Sequence, residues 1–176
     1  MILGAVLAGG KSTRFGSDKA LAKLGAHTLI EHAIAGLQPC CDEVIVVGRS
    51  DAPVRTIPDW PRPDCGPLAG VAAALREASR GGFASVITSG VDSFDLPGDL
   101  VSLLSPPPAF LDSQPVVGHW HADARTAAES ILMSEGRHSM RAFAEMVCAT
   151  SVKASSKPAN INTPADLGAV ESKHGL

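Results

Sequence analysis

The sequence has 176 residues, which is the size of one domain. Hydrophobic residues make up 45% of it, enough for a buried core, and this excludes a disordered chain. Lys and Arg number 15 against 18 Asp and Glu, giving a net charge of -3, so we expect no general attraction to nucleic acid or anionic membranes. Aromatic residues are 4% of the chain and Tyr is absent, which argues against a base-stacking surface. An anionic ligand must therefore be bound by local groups.

The apolar N-terminal run and the cysteines indicate where in the cell we expect the protein and which cysteine sites we do not expect. Residues 2–8 are apolar but too few to span a membrane, and no positively charged segment precedes them as in a signal peptide. We therefore expect a cytoplasmic protein. The four cysteines show no C-x-x-C pair and no partner histidines at zinc-finger spacing, which predicts neither a disulfide framework nor a structural zinc site.

In the first half of the chain, apolar runs alternate with helical periodicity. Residues 2–8 are continuously apolar, which predicts a strand covered on both faces, as in parallel sheets. Residues 28–37 have the apolar spacing of a helix, and 44–47 follow as a second buried strand. A helix over 67–79 and a strand over 85–88 continue the pattern. This alternation predicts an open α/β sheet.

The second half of the chain continues as one unit. Residues 105–108, Ser-Pro-Pro-Pro, are too short for a linker and predict a loop. A strand over 115–121 and a helix over 139–147 follow from their apolar spacing. Near the end, Thr163 and Pro164 predict a helix start. The predicted fold class is α/β, with a single domain over residues 1–176 and a mostly parallel open sheet bearing helices on both faces.

A glycine turn with three cations follows the first predicted strand. Gly9-Gly10 lies at its carboxyl end, where open α/β sheets bind ligands. Lys11, Arg14 and Lys19 follow in the same loop, and this local positive charge beside backbone N–H groups predicts a phosphate-bearing ligand. A plain turn would carry the same glycines. A P-loop is disfavoured, because position 5 is Ala where that motif needs Gly.

Two carboxylates are placed to meet such a ligand. Phosphate transfer usually needs a divalent cation, and the cation needs carboxylates at the same sheet edge. Asp92 follows the strand at 85–88, and Asp59 follows a short candidate strand at 54–57. An acid after a strand is also a common turn or helix cap, and we assign that role to Asp95 and Asp99.

Other charged and titratable side chains carry weaker signals. His119 and His121 share one face of the strand at 115–121, a spacing that suits metal or phosphate contact as well as two solvent-facing histidines. A cluster of cationic side chains surrounds the predicted helix start at Ser139 and could meet an acceptor phosphate or simply be solvated. Its members are Arg137, His138 and Arg141.

Four motifs together resemble the molybdopterin nucleotidyltransferase family, in its molybdenum cofactor guanylyltransferase branch. They occur in the family's order over nearly the whole chain, and they imply a Rossmann-like nucleotidyltransferase fold. The motifs are Leu7-Ala8-Gly9-Gly10 with Arg14-Phe15-Gly16 and Asp18-Lys19, then Gly66-Pro67-Leu68-Ala69-Gly70, then Asp92 with Leu96-Pro97, and last Asn160-Ile161-Asn162-Thr163-Pro164.

The resemblance implies a role for each matching residue. Leu7, Gly9 and Gly10 would bind the nucleotide together with Asp59. Lys19 would contact its phosphates, Arg14 would lie on the triphosphate side, and Asp92 would bind Mg²⁺ as well as nucleotide. The implied catalytic residues are Arg14, Lys19 and Asp92, and the implied metal ligand is Asp92.

The implied reaction is transfer of GMP from GTP to the molybdopterin phosphate, with release of pyrophosphate. Client molybdoenzymes or other cofactor-biosynthesis proteins are the implied partners, with no nucleic acid and no membrane. Gly9 matches the guanine-using branch, whereas the related cytidylyltransferases commonly have Ala at this position. We therefore expect the protein to prefer GTP over CTP. Gly90-Val91 stands where relatives commonly have Pro-Cys, and Val47 where many have Asn. A cytidylyl or sugar-phosphate nucleotidyltransferase, and a noncatalytic cofactor-delivery protein, therefore stay open as alternatives.

Overall fold

The computed structural model of the protein describes residues 1–10 and 15–176. In this part of the chain the strands are β1 (Ile2–Leu7), β2 (Lys23–Leu24), β3 (His27–Thr28), β4 (Glu43–Val47), β5 (Thr56–Ile57), β6 (Ser85–Gly90), β7 (Ser93–Phe94), β8 (Ala109–Leu111), β9 (Gln114–His121), β10 (Thr150–Val152) and β11 (Ala159–Asn160). The α-helices are α1 (Leu29–Leu37), α2 (Pro67–Gly81), α3 (Leu100–Leu103), α4 (Arg125–Met133), α5 (Met140–Met146) and α6 (Pro164–His174).

The main sheet has the strand order β10-β8-β9-β6-β1-β4-β5. Strands β6, β1, β4 and β5 run parallel to one another, and β10 is parallel to β8. Strand β9 is antiparallel to both of its neighbours, β6 and β8. The prediction of a mostly parallel sheet is confirmed. Its parallel half brings the carboxyl ends of β1, β4 and β6 to one edge.

Helices cover both faces of the sheet, as predicted. On one face, Leu3 and Trp120 belong to a core built with α2, α4 and α5. On the other face, Val6 and Val46 pack with α1 and α3. Successive residues of β1 thus enter opposite cores, which explains why its sequence is apolar without alternation.

A third, smaller group of apolar side chains, here called the C-terminal cluster, lies outside the main sheet. It consists of Leu24, Leu29, Ile161 and Val170. The group joins the short β2–β3 pair to β11 and α6, and β11 in turn pairs with β7. The start of α6 is fixed by a capping box in which Thr163 and Asp166 bond each other's backbone N–H groups. The segment after the glycine turn therefore packs against the end of the chain.

Most predicted elements are confirmed within a residue or two at their ends. Sequence analysis missed α4, β8, β10 and the short strand pairs. Asp99 stands at the N-cap position of α3, but its side chain makes no capping hydrogen bond, and Asp95 occupies a turn with φ of 61°. Among the described residues, no helix has the length and apolarity that a membrane span requires.

Candidate active site

A cavity of about 830 Å³ opens at the carboxyl edge of the parallel strands. The register places Leu7 of β1 beside Val47 of β4 and Gly90 of β6, so the three strands end together. Every predicted site residue in the described part of the chain lines this cavity: Leu7, Gly9, Gly10, Lys19, Asp59 and Asp92. The predicted cations Lys11 and Arg14 lie outside the described residues.

An ion pair joins the segment after the glycine turn to the end of β6. Lys19 Nζ donates to Asp92 Oδ2 at 2.9 Å. The side chain of Lys19 is 13% exposed and that of Asp92 is 26% exposed, so both remain in contact with the cavity while partly shielded from solvent. A cation and a carboxylate held side by side can meet phosphate oxygens and a divalent cation respectively.

The Asp59 carboxylate packs against three glycines from different segments. A Cβ built at Gly9 would lie 2.5 Å from Asp59 Oδ2, one at Gly48 3.0 Å from the same oxygen, and one at Gly70 3.4 Å from Oδ1. Gly48 also has φ of 86°, a left-handed conformation that favours glycine. Burial, with a further contribution from the negative charge of Asp64, raises the pKa of Asp59 above its ordinary value. A partly buried carboxyl group thus lies in the cavity wall beside these glycines.

A second ion pair lies at the rim of the cavity. Arg49 Nη1 donates to Asp18 Oδ1 at 2.9 Å, and the same oxygen accepts from the backbone N–H of Ala20 at 3.2 Å. Asp18 is the N-cap of the 3-10 helix formed by Lys19–Leu21. The hydrogen bond from Arg49 lowers the pKa of Asp18. Sequence reasoning missed this pair: an N-cap pattern could have indicated Asp18, whereas nothing local indicates Arg49.

Three amide side chains also line the cavity, and we call this group the amide-bearing wall. Gln114 at the start of β9 is buried; it accepts a hydrogen bond from Ser93 Oγ at 2.6 Å and donates to the Pro158 carbonyl at 2.8 Å. Asn160 and Asn162 line the same wall. Sequence reasoning indicates the two asparagines only as part of a family motif, and it does not indicate Gln114, because the partners of Gln114 are far away in sequence.

The described residues contain no group of three or more His, Cys, Asp or Glu side chains able to hold a metal ion. The described side chains that line the cavity therefore do not form a closed structural metal site. They do fit Mg²⁺, which is typically bound by one or two carboxylates together with substrate phosphates and water. Asp92 could fill that role, since it lines the cavity beside Lys19.

Two predicted candidates lie away from the cavity. His119 is buried; its ring nitrogens contact Ser85 Oγ at 2.8 Å and the Leu104 carbonyl at 3.2 Å. Ser85 begins β6, so this histidine lies towards the end of the sheet opposite the cavity. Burial lowers the pKa of His119. His121 is exposed at the end of β9, and the geometry suits a structural role for the buried ring.

The remaining sequence candidates are likewise outside the lining. Val47 is fully buried in the core beneath the cavity, so its side chain does not replace the Asn of relatives as a cavity group. Arg137 and Arg141 are exposed, and His138 Nε2 contacts the Ser134 carbonyl at 2.9 Å. Among the described residues that line the cavity, none comes from this helix start.

Comparison with solved structures identifies the class of fold. The chain superposes on molybdopterin-guanine dinucleotide biosynthesis protein A from Archaeoglobus fulgidus with a TM-score of 0.73 and 22% identity, covering 98% of both chains. It superposes on a nucleotidyl transferase from Methanothermobacter thermautotroptrophicus with a TM-score of 0.72 and 19% identity, covering 98% of this chain and 97% of that one. The protein therefore has the Rossmann-like fold of nucleotidyltransferases.

Sequence comparison then identifies the family. Residues 4–145 match the family described as the MobA-like NTP transferase domain. A molybdenum cofactor guanylyltransferase of Rhizobium leguminosarum bv. trifolii is 35% identical, over 97% of this chain and 91% of that protein. One of Acidiphilium cryptum is 33% identical, over 94% and 92%. The chain belongs to the MobA-like NTP transferase family, and the resemblance stated from its motifs is confirmed.

Proposed function

We propose that the protein transfers GMP from GTP to the terminal phosphate of molybdopterin and releases pyrophosphate. The observation that carries this proposal is the Lys19–Asp92 ion pair, which lies in the same cavity that Gly9 and Gly10 line. Family membership and the guanylyltransferases that match nearly the full chain support the choice of reaction.

In the proposed reaction an oxygen of the acceptor phosphate forms a bond to the α-phosphorus of GTP. The bond between that phosphorus and the oxygen bridging to the β-phosphate breaks, and its electron pair leaves on pyrophosphate. The acceptor oxygen is already ionised at neutral pH, so no residue has to remove a proton from it. No covalent enzyme intermediate is required, in keeping with a cavity lined by an ion pair and carboxylates.

Lys19 has the charge that this step needs. Its ammonium group is held at the cavity by Asp92 and can donate to phosphate oxygens as negative charge builds on the leaving pyrophosphate. Asp92 would hold Mg²⁺, which when bound supplies positive charge to the phosphate oxygens. Gly9 and Gly10 bring backbone close to the ligand. On the other side of the cavity, Asp59 can accept a hydrogen bond from the nucleoside.

The amide-bearing wall supports the placement of the acceptor. Gln114, Asn160 and Asn162 line the cavity together with Asp59, and β9, which bears Gln114, is separated in the sheet from β5, which precedes Asp59, by β6, β1 and β4. Neutral amides add no negative charge where an acceptor phosphate would have to enter. We therefore place the nucleoside at Asp59 and the acceptor at the amide-bearing wall, with Lys19 and Asp92 between the two.

The decisive experiment is incubation of the purified protein with molybdopterin, Mg²⁺ and each of the four nucleoside triphosphates in turn. We expect GTP to give pyrophosphate and a product with the mass of the GMP adduct. The other three nucleoside triphosphates should give no such adduct or far less of it. A dominant CMP adduct would replace guanylyl with cytidylyl transfer. Binding of GTP without pyrophosphate release would favour the noncatalytic delivery protein. Omission of molybdopterin serves as the control for simple GTP hydrolysis.

A further inference from the structure

We propose that Arg49 is a positioning residue for Lys19 and acts through Asp18, an inference that rests on the proposed function. Arg49 lies in the loop after β4, beyond Gly48. Its guanidinium holds the N-cap of the short helix in which Lys19 is the first residue. Neither the family motifs quoted above nor the lining of the cavity includes Arg49.

Four hydrogen bonds connect Arg49 through the short helix to Lys19 and Asp92. Arg49 Nη1 donates to Asp18 Oδ1 at 2.9 Å, and that oxygen also accepts from the Ala20 N–H at 3.2 Å. The backbone carbonyl of Lys19 accepts from Ala22, which completes the turn. Lys19 Nζ then reaches Asp92 Oδ2 at 2.9 Å. The ends of β4 and β6 thus hold this short helix from two sides.

The arginine itself is fixed at both ends of its side chain. Its backbone follows Gly48, whose Cα lies so close to Gly9 that a Cβ at position 48 would be 2.5 Å from the Gly9 Cα. Its Nε donates to the Asp51 carbonyl at 3.3 Å, and its side chain is 18% exposed. Arginine keeps its charge at all physiological pH values and offers a planar set of donors. It can therefore act as a permanent anchor for Asp18.

In this arrangement, different residues fix the backbone of Lys19 and its ammonium group. A lysine side chain is long and has many rotamers, so its ammonium group is placed well only if its backbone is fixed. The contacts of Arg49 fix the backbone of the Lys19 segment, whereas Asp92 fixes the ammonium group. Loss of Arg49 should therefore misplace Lys19 during transfer without removing any group that touches substrate.

The test is a pair of double-mutant cycles read as kcat and KM for GTP. We expect Arg49→Gln and Asp18→Asn each to lower kcat roughly tenfold with a smaller change in KM, and the double variant to be no worse than either one. In a Lys19→Ala background, Arg49→Gln should have no further effect. Arg49→Lys, which keeps the charge without the planar donor set, should restore part of the activity.

Arg55→Gln is the matched control. Arg55 lies a few residues further along the same loop and pairs with Glu43 and Glu77 on the protein surface at 2.8 and 2.7 Å. Its loss removes an arginine and its ion pairs from the surface without touching the Lys19 segment. We expect kcat to stay within about twofold of the original protein, because exposed ion pairs contribute little.

Three outcomes would overturn the proposal. Multiplying effects of Arg49→Gln and Lys19→Ala would show that Arg49 contacts the nucleotide directly. A raised KM with unchanged kcat would show the same. A lowered melting temperature with unchanged kinetics would make the pair purely structural. If the original protein releases no pyrophosphate, the proposed function fails separately, and the same cycles are then read from GTP dissociation constants, where the same non-additivity is required.

Discussion

The carboxylate of Asp59 occupies the space in which a side chain at Gly9 would begin. A Cβ built at Gly9 lies 2.5 Å from Asp59 Oδ2, and the Cα of Gly48 is 3.3 Å away on the other side. The sequence suggests that glycine at position 9 admits a purine ring. The structure adds a second reason, since glycine also lets an acidic side chain approach the turn. The position of Asp59 therefore depends on the missing methyl group at Gly9, the same residue on which we expect the choice of base to depend.

Gly9→Ala should displace Asp59 and reduce the preference for GTP over CTP. We expect the ratio of kcat/KM values for the two nucleotides to fall about tenfold, as when one polar contact to a base is lost. Gly10→Ala is the matched control, because a Cβ there meets nothing within 4 Å. The Gly10 variant should keep its melting temperature while the Gly9 variant loses stability. Equal stability losses would contradict the proposed contact with Asp59.

Lys19→Ala should weaken GTP binding and slow transfer. A charge-assisted hydrogen bond contributes about 1.5–3 kcal/mol, so the expected loss is roughly tenfold to more than a hundredfold. Lys23→Ala is the control, since Lys23 is an exposed lysine on β2. Titration calorimetry with GTP measures both variants. A loss in the Lys23 variant as large as that in the Lys19 variant would show that general charge, not the ion-paired position, binds the phosphates.

Asp92→Asn should abolish Mg²⁺-dependent transfer and leave the fold intact. The substitution removes a charge from a cavity-lining side chain that is 26% exposed, and we expect transfer to fall about a hundredfold or more. Asp95→Asn is the matched control three residues later, where the backbone has φ of 61° and asparagine is well tolerated. Pyrophosphate release at several Mg²⁺ concentrations gives the readout. Unchanged turnover in the Asp92 variant would remove this residue from the metal site.

Asp59→Asn should raise stability at neutral pH while lowering activity. The folded protein raises the pKa of Asp59, so it binds this proton more tightly than the unfolded chain does, and the ionised form is the destabilised one. The gain from Asn should be complete above the folded-state pKa. It should fade as the pH falls through that pKa towards the unfolded value, because the native side chain then becomes protonated too.

Urea unfolding of the Asp59 variant at a series of pH values measures this gain. Asp112→Asn, which removes one negative charge from an exposed site, is the matched control for the loss of a carboxylate. A gain that instead grows on acidification would have the wrong sign and would contradict the buried environment of Asp59.

Val47→Asn should destabilise the protein without improving GTP binding. The Val47 side chain is fully buried in the core under the sheet edge, where an amide would lack hydrogen-bond partners. The expected cost is about 2–4 kcal/mol in the free energy of unfolding. Val54→Asn, at a partly buried valine of the following loop, should cost less. Tighter GTP binding by the Val47 variant would show that the side chain can reach the cavity.

Much of the fold was predictable because many of its elements are determined by short-range sequence patterns. The continuous apolar run of β1, the capping residue Thr28 before α1 and the Thr163-Pro164 start of α6 all have a short-range physical cause. The missed elements are short. Strand β10 has three partly or fully exposed residues and exists because β8 offers it an edge. Such an element depends on tertiary pairing that no window of sequence contains.

The site shows the same division. Lys19 and Asp92 could be selected because each follows a recognisable turn or strand, and the structure brings them within 2.9 Å of each other. Arg49 and Gln114 could not, since their partners Asp18 and Ser93 lie far away along the chain. Residues proposed to contact the ligand could be predicted because they are charged residues or glycines close to a glycine turn or a strand end. Residues that support them, such as Arg49 and Gln114, lie in no such local pattern.

The C-terminal cluster has a consequence for how the protein acquires its site during synthesis. Leu24 and Leu29, which follow the glycine turn, pack on Ile161 and Val170 near the opposite end of the chain. Contacts of such high sequence separation form only after a large loss of chain entropy, so they are typically late in folding. A nascent chain that already has its central strands would still lack the support under the Lys19 segment. The support under the Lys19 segment is therefore completed only when α6 packs against β2 and α1.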